Sequence, residues 1–199
     1  MKMRLWLSAI VLGAALGVGA GWAITSYTTG PGGEDQKFGP WTTTTAVGES
    51  EQSPYSRARV AIYGIWGLPP AEVVYFSARE DDEGAPLDPA CTYQVRGGPL
   101  PTRWWSVTLY EDGFYINNPA NRYSWTTSDV AYEPRGDING AWTLTVSPDG
   151  EGPNELAFGP GGGNRVLLLR LYQPNSGVPE NRGAVALPSI TRQSCAGAR

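Results

Sequence analysis

The segment from Arg103 to Trp125, RWWSVTLYEDGFYINNPANRYSW, constrains the fold of this chain more than any other stretch. Its first half alternates between two faces, and a period of two with aromatic and β-branched residues predicts a half-buried β-strand. Asp112-Gly113 follows at once, and this pair is a strong signal for a tight hairpin turn. One face of the strand carries Trp105, Val107 and Leu109, and the other carries Trp104, Ser106, Thr108 and Tyr110.

The remainder of the chain is also typical of short strands joined by turns, since 26 Gly and 17 Pro occur without a period. Ser53-Pro54 predicts the start of a short helix over 55–66. The run Arg165 to Tyr172 predicts a central strand with both faces largely covered, and Gly159 to Gly163 predicts a flexible loop. About seven strands at this spacing indicate an antiparallel sandwich or jelly roll. The other predicted strands are Val73–Ala78, Cys91–Val95, Arg103–Tyr110, Phe114–Ile116, Val130–Tyr132 and Ala141–Val146.

The N-terminal segment, residues 1–24, is typical of a transmembrane signal anchor. Lys2 and Arg4 precede an uncharged run from Leu5 to Ile24, which as a helix reaches about 30 Å, the thickness of a bilayer core. The positive residues predict a cytoplasmic N-terminus and a periplasmic C-terminal domain on a bacterial inner membrane. The alternative is a signal peptide cleaved after Ala20 or Ala23, followed by secretion. We expect residues 25–50 to be a linker and 51–199 to be the β domain.

Three glycines within this segment recur every four residues, at Gly13, Gly17 and Gly21. Residues four apart share one helix face, so these glycines would let a second helix approach closely. The pattern therefore suggests a homo-oligomer formed through the membrane helix. The alternative is that small residues are simply common in membrane helices and signal sequences.

The composition excludes several classes of function. The chain of 199 residues has no histidine, which removes Ser-His-Asp triads and most zinc or iron sites. A net charge of −4 and the lack of a basic patch argue against nucleic acid. We expect no cofactor, no metal and no catalytic residue of these kinds, so the sequence favours a protein that is not an enzyme.

The two cysteines, Cys91 and Cys195, are expected to form a disulfide if the domain lies outside the cytoplasm. The bond would close a loop of roughly a hundred residues and contribute up to about 4–5 kcal/mol in the chain-entropy model. A reactive thiol pair is the alternative, although catalytic dithiols are usually close in sequence.

Acidic residues suggest two further hypotheses, a calcium site and a glycosidase site, and for each the alternative is that the acids simply lie in turns. The cluster Glu80, Asp81, Asp82 and Glu83 has oxygen ligands suited to Ca²⁺, but its spacing is not that of an EF-hand and a hydrated turn explains it. A glycosidase needs two carboxylates about 5–10 Å apart. Its candidates are Glu111, Asp112, Asp129 and Asp137, each beside a predicted turn where an acid is common.

Aromatic residues are frequent, with 8 Trp and 10 Tyr. Alternation predicts that Trp105, Trp125 and Trp142 are core, while Trp104, Tyr110 and Tyr115 form an outer surface for a ligand or partner. Asn121 and Arg122 add polar groups to this surface. Their alternative role is structural: asparagine amides stabilise an Asn-Pro turn, and Arg122 pairs with an acid such as Asp129.

In combination, several short motifs resemble the family called domain of unknown function 1214. The resemblance spans about residue 38 to the end and implies a β-sandwich of jelly-roll type. In longer relatives the domain follows a domain of unknown function 1254, so the resemblance also implies a separate companion protein of that kind. It implies no established activity. The motifs are Tyr75-Phe76 with an acidic turn, Cys91-Thr92-Tyr93, Pro99-Leu100-Pro101, Arg103-Trp104-Trp105-Ser106, Asp112-Gly113, Asn118-Pro119, Asn121-Arg122-Tyr123-Ser124, Leu169 to Pro174 and Leu187 to Ile190 with Cys195.

The sequence therefore predicts a mainly β domain, an antiparallel sandwich of jelly-roll type behind a short helix and a transmembrane helix. The favoured function is a membrane-anchored extracytoplasmic domain that acts through a protein partner. The alternative is a small-molecule or glycan-binding module, or a hydrolase subunit that uses carboxylates.

Overall fold

The computed structural model describes residues 2–29, 35–45, 67–118, 122–133, 140–150 and 152–196, and the single residues 48, 54, 57 and 61. Within this part of the chain one long helix, α1 (Lys2–Thr29), precedes twelve strands in two sheets. The strands are β1 (Asp35–Phe38), β2 (Trp41–Thr44), β3 (Val73–Ala78), β4 (Cys91–Gly97), β5 (Thr102–Glu111), β6 (Phe114–Tyr115), β7 (Ser124–Thr126), β8 (Tyr132–Glu133), β9 (Ala141–Ser147), β10 (Glu155–Ala157), β11 (Arg165–Pro174) and β12 (Ser189–Cys195).

The first sheet has seven strands in the order β1-β2-β3-β11-β5-β6, with β7 also paired to β5. All its pairings are antiparallel. The strand β11 is central, because it pairs with β3 along one edge and with β5 along the other. The Asp112-Gly113 turn connects β5 to β6 with φ values of 48° and 87°, the left-handed conformation that this hairpin turn requires.

The second sheet has five strands in the order β10-β9-β4-β12, with β8 also paired to β9. Its pairings are antiparallel except for β9 and β10, which are parallel. Cys91 and Cys195 are directly opposite each other on β4 and β12, and they form the disulfide that the sequence predicts.

The two sheets face each other across one core, which is the arrangement of a β-sandwich. Trp105 of β5 stacks on Trp142 of β9 with ring centroids 4.5 Å apart. Trp125 is also buried, and its indole Nε1 donates a hydrogen bond of 2.8 Å to the Glu155 carbonyl of β10. These three tryptophans are core residues, as alternation predicts, and each contacts the opposite sheet. The mainly β, antiparallel fold is confirmed, while the jelly-roll connectivity stays a prediction.

The predicted linker over residues 25–50 was wrong for two described parts: residues 25–29 belong to α1, and residues 35–44 contain β1 and β2. Trp41 explains the difference: its side chain is fully buried in the core, and its Nε1 donates to the Pro188 carbonyl. Most of the predicted helix over 55–66 lies outside the described residues, although Pro54, Arg57 and Ala61 are helical.

The loop Gly159 to Gly163 was expected to be flexible, but two of its glycines, Gly161 and Gly163, are packed against side chains. A Cβ on Gly161 would lie 2.0 Å from Glu111 Oε1, and one on Gly163 would lie 2.1 Å from Asp112 Oδ2. The Gly163 amide also donates to Glu111 Oε1 at 2.8 Å. Glycine is therefore required here for close approach to the β5–β6 hairpin.

The helix α1 contains an apolar stretch, Trp6–Ile24, that is long enough to cross a membrane. None of this stretch is buried against the described part of the protein. A single helix of this kind next to an N-terminus is compatible with either a membrane anchor or a signal sequence.

Candidate functional site

A groove of about 430 Å³ lies on the outer face of the seven-stranded sheet, opposite the core. Six aromatic side chains form most of its lining, and Ser106, Thr108, Ser124, Leu68 and Arg170 complete it. The aromatic side chains are Tyr75, Trp104, Tyr110, Tyr115, Tyr123 and Tyr172. A second depression of about 270 Å³ adjoins the groove at Leu68, Trp104 and Tyr172.

Strand register brings these residues together. Arg170 of β11 lies directly opposite Tyr75 of β3 on one side and Ser106 of β5 on the other. Tyr172 lies opposite Trp104 in the same way. Because side chains alternate along each strand, all five point to the face away from the core. The same alternation buries Leu169 and Leu171, so β11 serves the core and the groove at once.

Arg170 is the only charged side chain among the described residues that line the groove. Its Nη1 donates to Thr108 Oγ1 at 3.0 Å, and its Nη2 donates to the Tyr110 hydroxyl at 2.5 Å. The guanidinium carbon is 5.5 Å from the centroid of the Tyr110 ring. Among the described residues no carboxylate forms an ion pair with Arg170. The centre of the groove is therefore positive.

The aromatic walls are ordered by ring contacts. Tyr110 stacks on Tyr115 with centroids 5.2 Å apart, and Tyr115 stacks on Tyr123 at 4.7 Å. Trp104 contacts Tyr172 edge-on at 4.8 Å. Such contacts fix the orientation of each ring and add to the area that the rings bury. The groove thus presents preformed flat surfaces beside a cation.

The two tyrosines nearest to Arg170 remain uncharged at neutral pH. Burial raises the pKa of the Tyr75 hydroxyl, although the nearby Arg170 charge acts in the opposite direction. Burial likewise raises the pKa of Tyr110, and its hydrogen bond from Arg170 only partly offsets this effect. Since both hydroxyls keep their protons, neither neutralises the guanidinium.

Of the surface residues predicted from the sequence, the structure brings three together in the groove: Trp104, Tyr110 and Tyr115. Arg122 does not line it, and Asn121 lies outside the described residues.

The predicted pairing of Arg122 with Asp129 was wrong. The Arg122 guanidinium lies over the Trp125 ring, 4.2 Å from its centroid, whereas Asp129 Oδ2 accepts hydrogen bonds from the amide and hydroxyl of Thr126. The turn itself is stabilised as expected by an asparagine: the Asn118 side chain bonds to the backbone N–H and carbonyl of Arg122.

The acidic cluster from Glu80 to Glu83 serves the fold. Asp81 is buried; its Oδ1 accepts from the Glu83 and Ala85 amides, and its Oδ2 lies 2.8 Å from Arg192 Nη2. Asp82 Oδ2 accepts from the Ile190 amide. Within the described ranges no group of three acidic or cysteine side chains is placed to hold a metal ion.

The carboxylates proposed for a glycosidase do not meet in the groove. Glu111 pairs with Arg165, and Asp112 accepts hydrogen bonds from Asn164. Asp129 binds Thr126, and Asp137 lies outside the described residues. No described lining residue of the groove is Asp or Glu.

Sequence reasoning missed the central residue of the site, Arg170, together with Tyr75, Tyr123 and Tyr172. The signal was the alternation within VLLLRLY, which puts Arg170 and Tyr172 on the face opposite Leu169 and Leu171. We expected both faces of this strand to be covered. The structure corrects this expectation: the core face is buried, while the other face is only partly covered and forms the groove floor.

The fold and the groove define an antiparallel β domain with an aromatic, positively charged surface site. The chain belongs to the family described as protein of unknown function DUF1214, whose model matches residues 72–176. This span is shorter than the resemblance seen in the sequence, but it includes every described lining residue of the groove except Leu68.

The solved structures that are similar to the chain include two uncharacterised bacterial proteins. The VPA0106 protein from Vibrio parahaemolyticus has 26% identity and a TM-score of 0.56, and the match covers 72% of this chain and 36% of that one. An uncharacterised protein from Burkholderia cenocepacia has 16% identity and a TM-score of 0.41, with 64% and 31% covered. The chain thus spans about a third of the length of either protein. No curated protein matches it.

Proposed function

We propose that this protein is a membrane-anchored extracytoplasmic binding domain, and that the groove holds a small molecule containing a flat or sugar ring. The observation that carries the proposal is the preformed groove itself. Its volume of about 430 Å³ falls within the range of small-molecule sites. Stacked tyrosines and Trp104 supply surfaces against which a ring packs favourably.

The role is binding without catalysis. The candidates for a nucleophile in the groove are the hydroxyl groups of Ser106, Thr108 and Ser124. Activation of a hydroxyl requires a general base within hydrogen-bond reach. The described lining residues include no carboxylate and no thiol, and the sequence has no histidine. The groove therefore offers recognition groups and no base at neutral pH.

A thermal-shift screen of small ring compounds on the full chain in mild detergent tests the groove. We expect hits whose affinity falls by about tenfold or more in Trp104→Ala, because a stacked ring loses its packing surface. Phe114→Ala is the matched control, since Phe114 is 77% exposed and does not line the groove. Equal weakening by both substitutions, or no hits, would contradict the proposal.

The extracytoplasmic anchor is supported by two features of the chain, the apolar helix and the disulfide. Trp6–Ile24 is apolar and exposed, and the Cys91–Cys195 disulfide is typical of an oxidising compartment. Mass spectrometry of the protein from a membrane fraction should find an intact N-terminus. It should also find no alkylated cysteine unless reductant is added. A chain cleaved after Ala20 or Ala23 would instead identify a signal peptide.

A second candidate function is assembly with a companion protein that carries a domain of unknown function 1254. This candidate rests on the family resemblance, in whose longer relatives the two domains share one chain, and the Vibrio protein extends beyond the 36% of it that the match covers. Mild-detergent extraction followed by affinity purification should recover a stoichiometric companion. A lone monomer under these conditions would rule the companion out.

The membrane helix is also proposed to pair with a second copy. Gly13, Gly17 and Gly21 leave open space on the helix surface, with no atom within 4 Å of an added Cβ. Close helix approach at such glycines is favourable in lipid. We expect Gly17→Leu to convert a dimer to a monomer in light-scattering measurements in detergent, while Ala14→Leu, off this spacing, has no effect.

A further inference from the structure

The charge of Arg170 is not neutralised by any described group around it. The side chain is partly buried on the central strand of its sheet, and its two hydrogen-bond acceptors are the neutral hydroxyls of Thr108 and Tyr110. Charged groups withdrawn from water usually have a counter-charge. Two other arginines of this domain follow that rule, since Arg165 pairs with Glu111 and Arg192 pairs with Asp81. Of these three arginines, Arg170 is the one whose described hydrogen-bond partners carry no negative charge, which leaves it available for an external anion.

The geometry around Arg170 suits an anion. A guanidinium has five N–H donors in one plane, and two of them are used by Thr108 and Tyr110. Both hydroxyls accept from Arg170 and neither supplies a negative charge to it. Thr108 Oγ1 and Ser124 Oγ lie 3.0 Å apart, so one of them donates to the other. Arginine binds carboxylates and phosphates with two parallel hydrogen bonds.

We infer that the groove binds a small molecule carrying a carboxylate, phosphate or sulfate group next to a ring, with Arg170 receiving the anion and the tyrosines or Trp104 receiving the ring. This inference rests on the proposed function and narrows it to one class of ligand. The size of the groove favours a small molecule, since a protein partner would require about 800 Å² of surface on each side. The distances between cation and rings are short enough for one molecule to reach both.

Matched pairs of probes test the inference on the full chain in mild detergent. Isothermal titration calorimetry would compare benzoate with benzamide, and phenyl phosphate with phenol, so that each pair differs only in its anionic group. The wild type should bind at least one anion about tenfold or more tightly than its neutral partner, the range for a charge-assisted hydrogen bond. The two pairs separate a carboxylate ligand from a phosphate ligand.

Variants assign this preference to Arg170. Arg170→Gln should reduce the preference to less than about twofold, and Arg170→Lys should retain part of it because the charge remains without the planar fork. Arg96→Gln is the matched control, since it removes an exposed arginine from the other sheet. Near-UV circular dichroism of each variant verifies that the aromatic packing is intact.

The outcomes separate the inference from the function on which it rests. Equal binding of both members of each pair would overturn the anion assignment while leaving a ring-binding groove. A preference that survives Arg170→Gln would also overturn it, because the anion would then bind elsewhere or partition into detergent. No binding of any probe or screened ring compound would overturn the assignment and the proposed function together.

Discussion

Arg165 and Arg170 belong to the same strand, β11, but they lie on opposite faces and in opposite surroundings. The Arg165 side chain is fully buried, 2.5 Å from Glu111 Oε1, and it also donates to the carbonyls of Gly161 and Gly163. Arg170 is partly exposed, and its described hydrogen-bond acceptors are two hydroxyl groups. The fold supplies an acid and two carbonyls for Arg165, whereas no described residue supplies a counter-charge for Arg170.

The difference distinguishes a structural arginine from one that is available for binding. Burying a guanidinium without a partner is costly, so the loop Gly159 to Gly163 and the hairpin residue Glu111 are arranged around Arg165. No comparable arrangement of described residues surrounds Arg170, where open space and aromatic rings adjoin the cation instead. The first site contributes to stability, and the second is the proposed ligand site.

The largest expected effect comes from removing the charge that neutralises Arg165. Glu111→Gln should lower the free energy of unfolding by about 2–3 kcal/mol, because it leaves a buried cation unpaired. Arg170→Gln should change it by less than about 1 kcal/mol, as for a partly exposed site. Urea unfolding of the full chain in detergent, followed by tryptophan near-UV circular dichroism, measures both. Similar decreases in the free energy of unfolding in Glu111→Gln and Arg170→Gln would contradict the distinction between the two arginine sites.

A smaller change in the free energy of unfolding is expected when the pH is lowered. The Gly163 amide and then Arg165 hold the pKa of Glu111 below its ordinary value, which is about 4.3 in an unfolded chain. Stability from this group is therefore complete above the unfolded pKa and is lost as pH falls through the lower folded pKa. The difference in unfolding free energy between wild type and Glu111→Gln should narrow between about pH 5 and pH 3.

The groove should show no such change near neutrality. Tyr75 and Tyr110 of the groove have raised pKa values, and arginine stays charged. Benzoate binding should therefore be constant between about pH 6 and pH 9, since free tyrosine titrates near 10. A preference for anions that disappears within this range would point to a different titrating group. For the earlier prediction, a difference in unfolding free energy between wild type and Glu111→Gln that stays constant between about pH 5 and pH 3 would contradict the role of Glu111.

The sequence was sufficient to predict most of the sheet structure, because the alternation of apolar and polar residues along a strand indicates which side chains face the core. Trp105, Val107 and Leu109 are buried as that alternation indicates, and Asp112-Gly113 forms its turn. Short strands with few apolar residues escaped prediction, as β7 and β10 show. Their positions depend on pairing with distant strands, β5 and β9, which no local pattern records.

The site was predicted only in part for the same reason. Alternation along β5 suffices to place Trp104 and Tyr110 on the outer face, where they line the groove. Arg170 reaches them because β11 pairs with β5 in one particular register across a long separation in sequence. Arg122, close to these residues in sequence, lies instead over Trp125. Proximity in the chain was a poor guide to the composition of the groove.

The smallest expected change in the free energy of unfolding comes from introducing a carboxylate beside Arg170, as Glu111 already lies beside Arg165. Ser106 is buried directly opposite Arg170 on β5, so Ser106→Asp puts a carboxylate beside the guanidinium. Opposite charges across a strand pair contribute about 0.2–1 kcal/mol, and the desolvation of the new carboxylate offsets part of this gain. We expect unfolding free energy to change by less than about 1 kcal/mol, while benzoate binding weakens by about tenfold.

Ser106→Asn is the control for this substitution, because asparagine has nearly the shape of aspartate without its charge. Benzamide should bind both variants equally, since only the ring contacts are then involved. If benzoate also binds both variants equally, the internal carboxylate does not compete with the ligand, and Arg170 is not its receptor. If only Ser106→Asp weakens benzoate binding, the new carboxylate neutralises Arg170, as Glu111 neutralises Arg165.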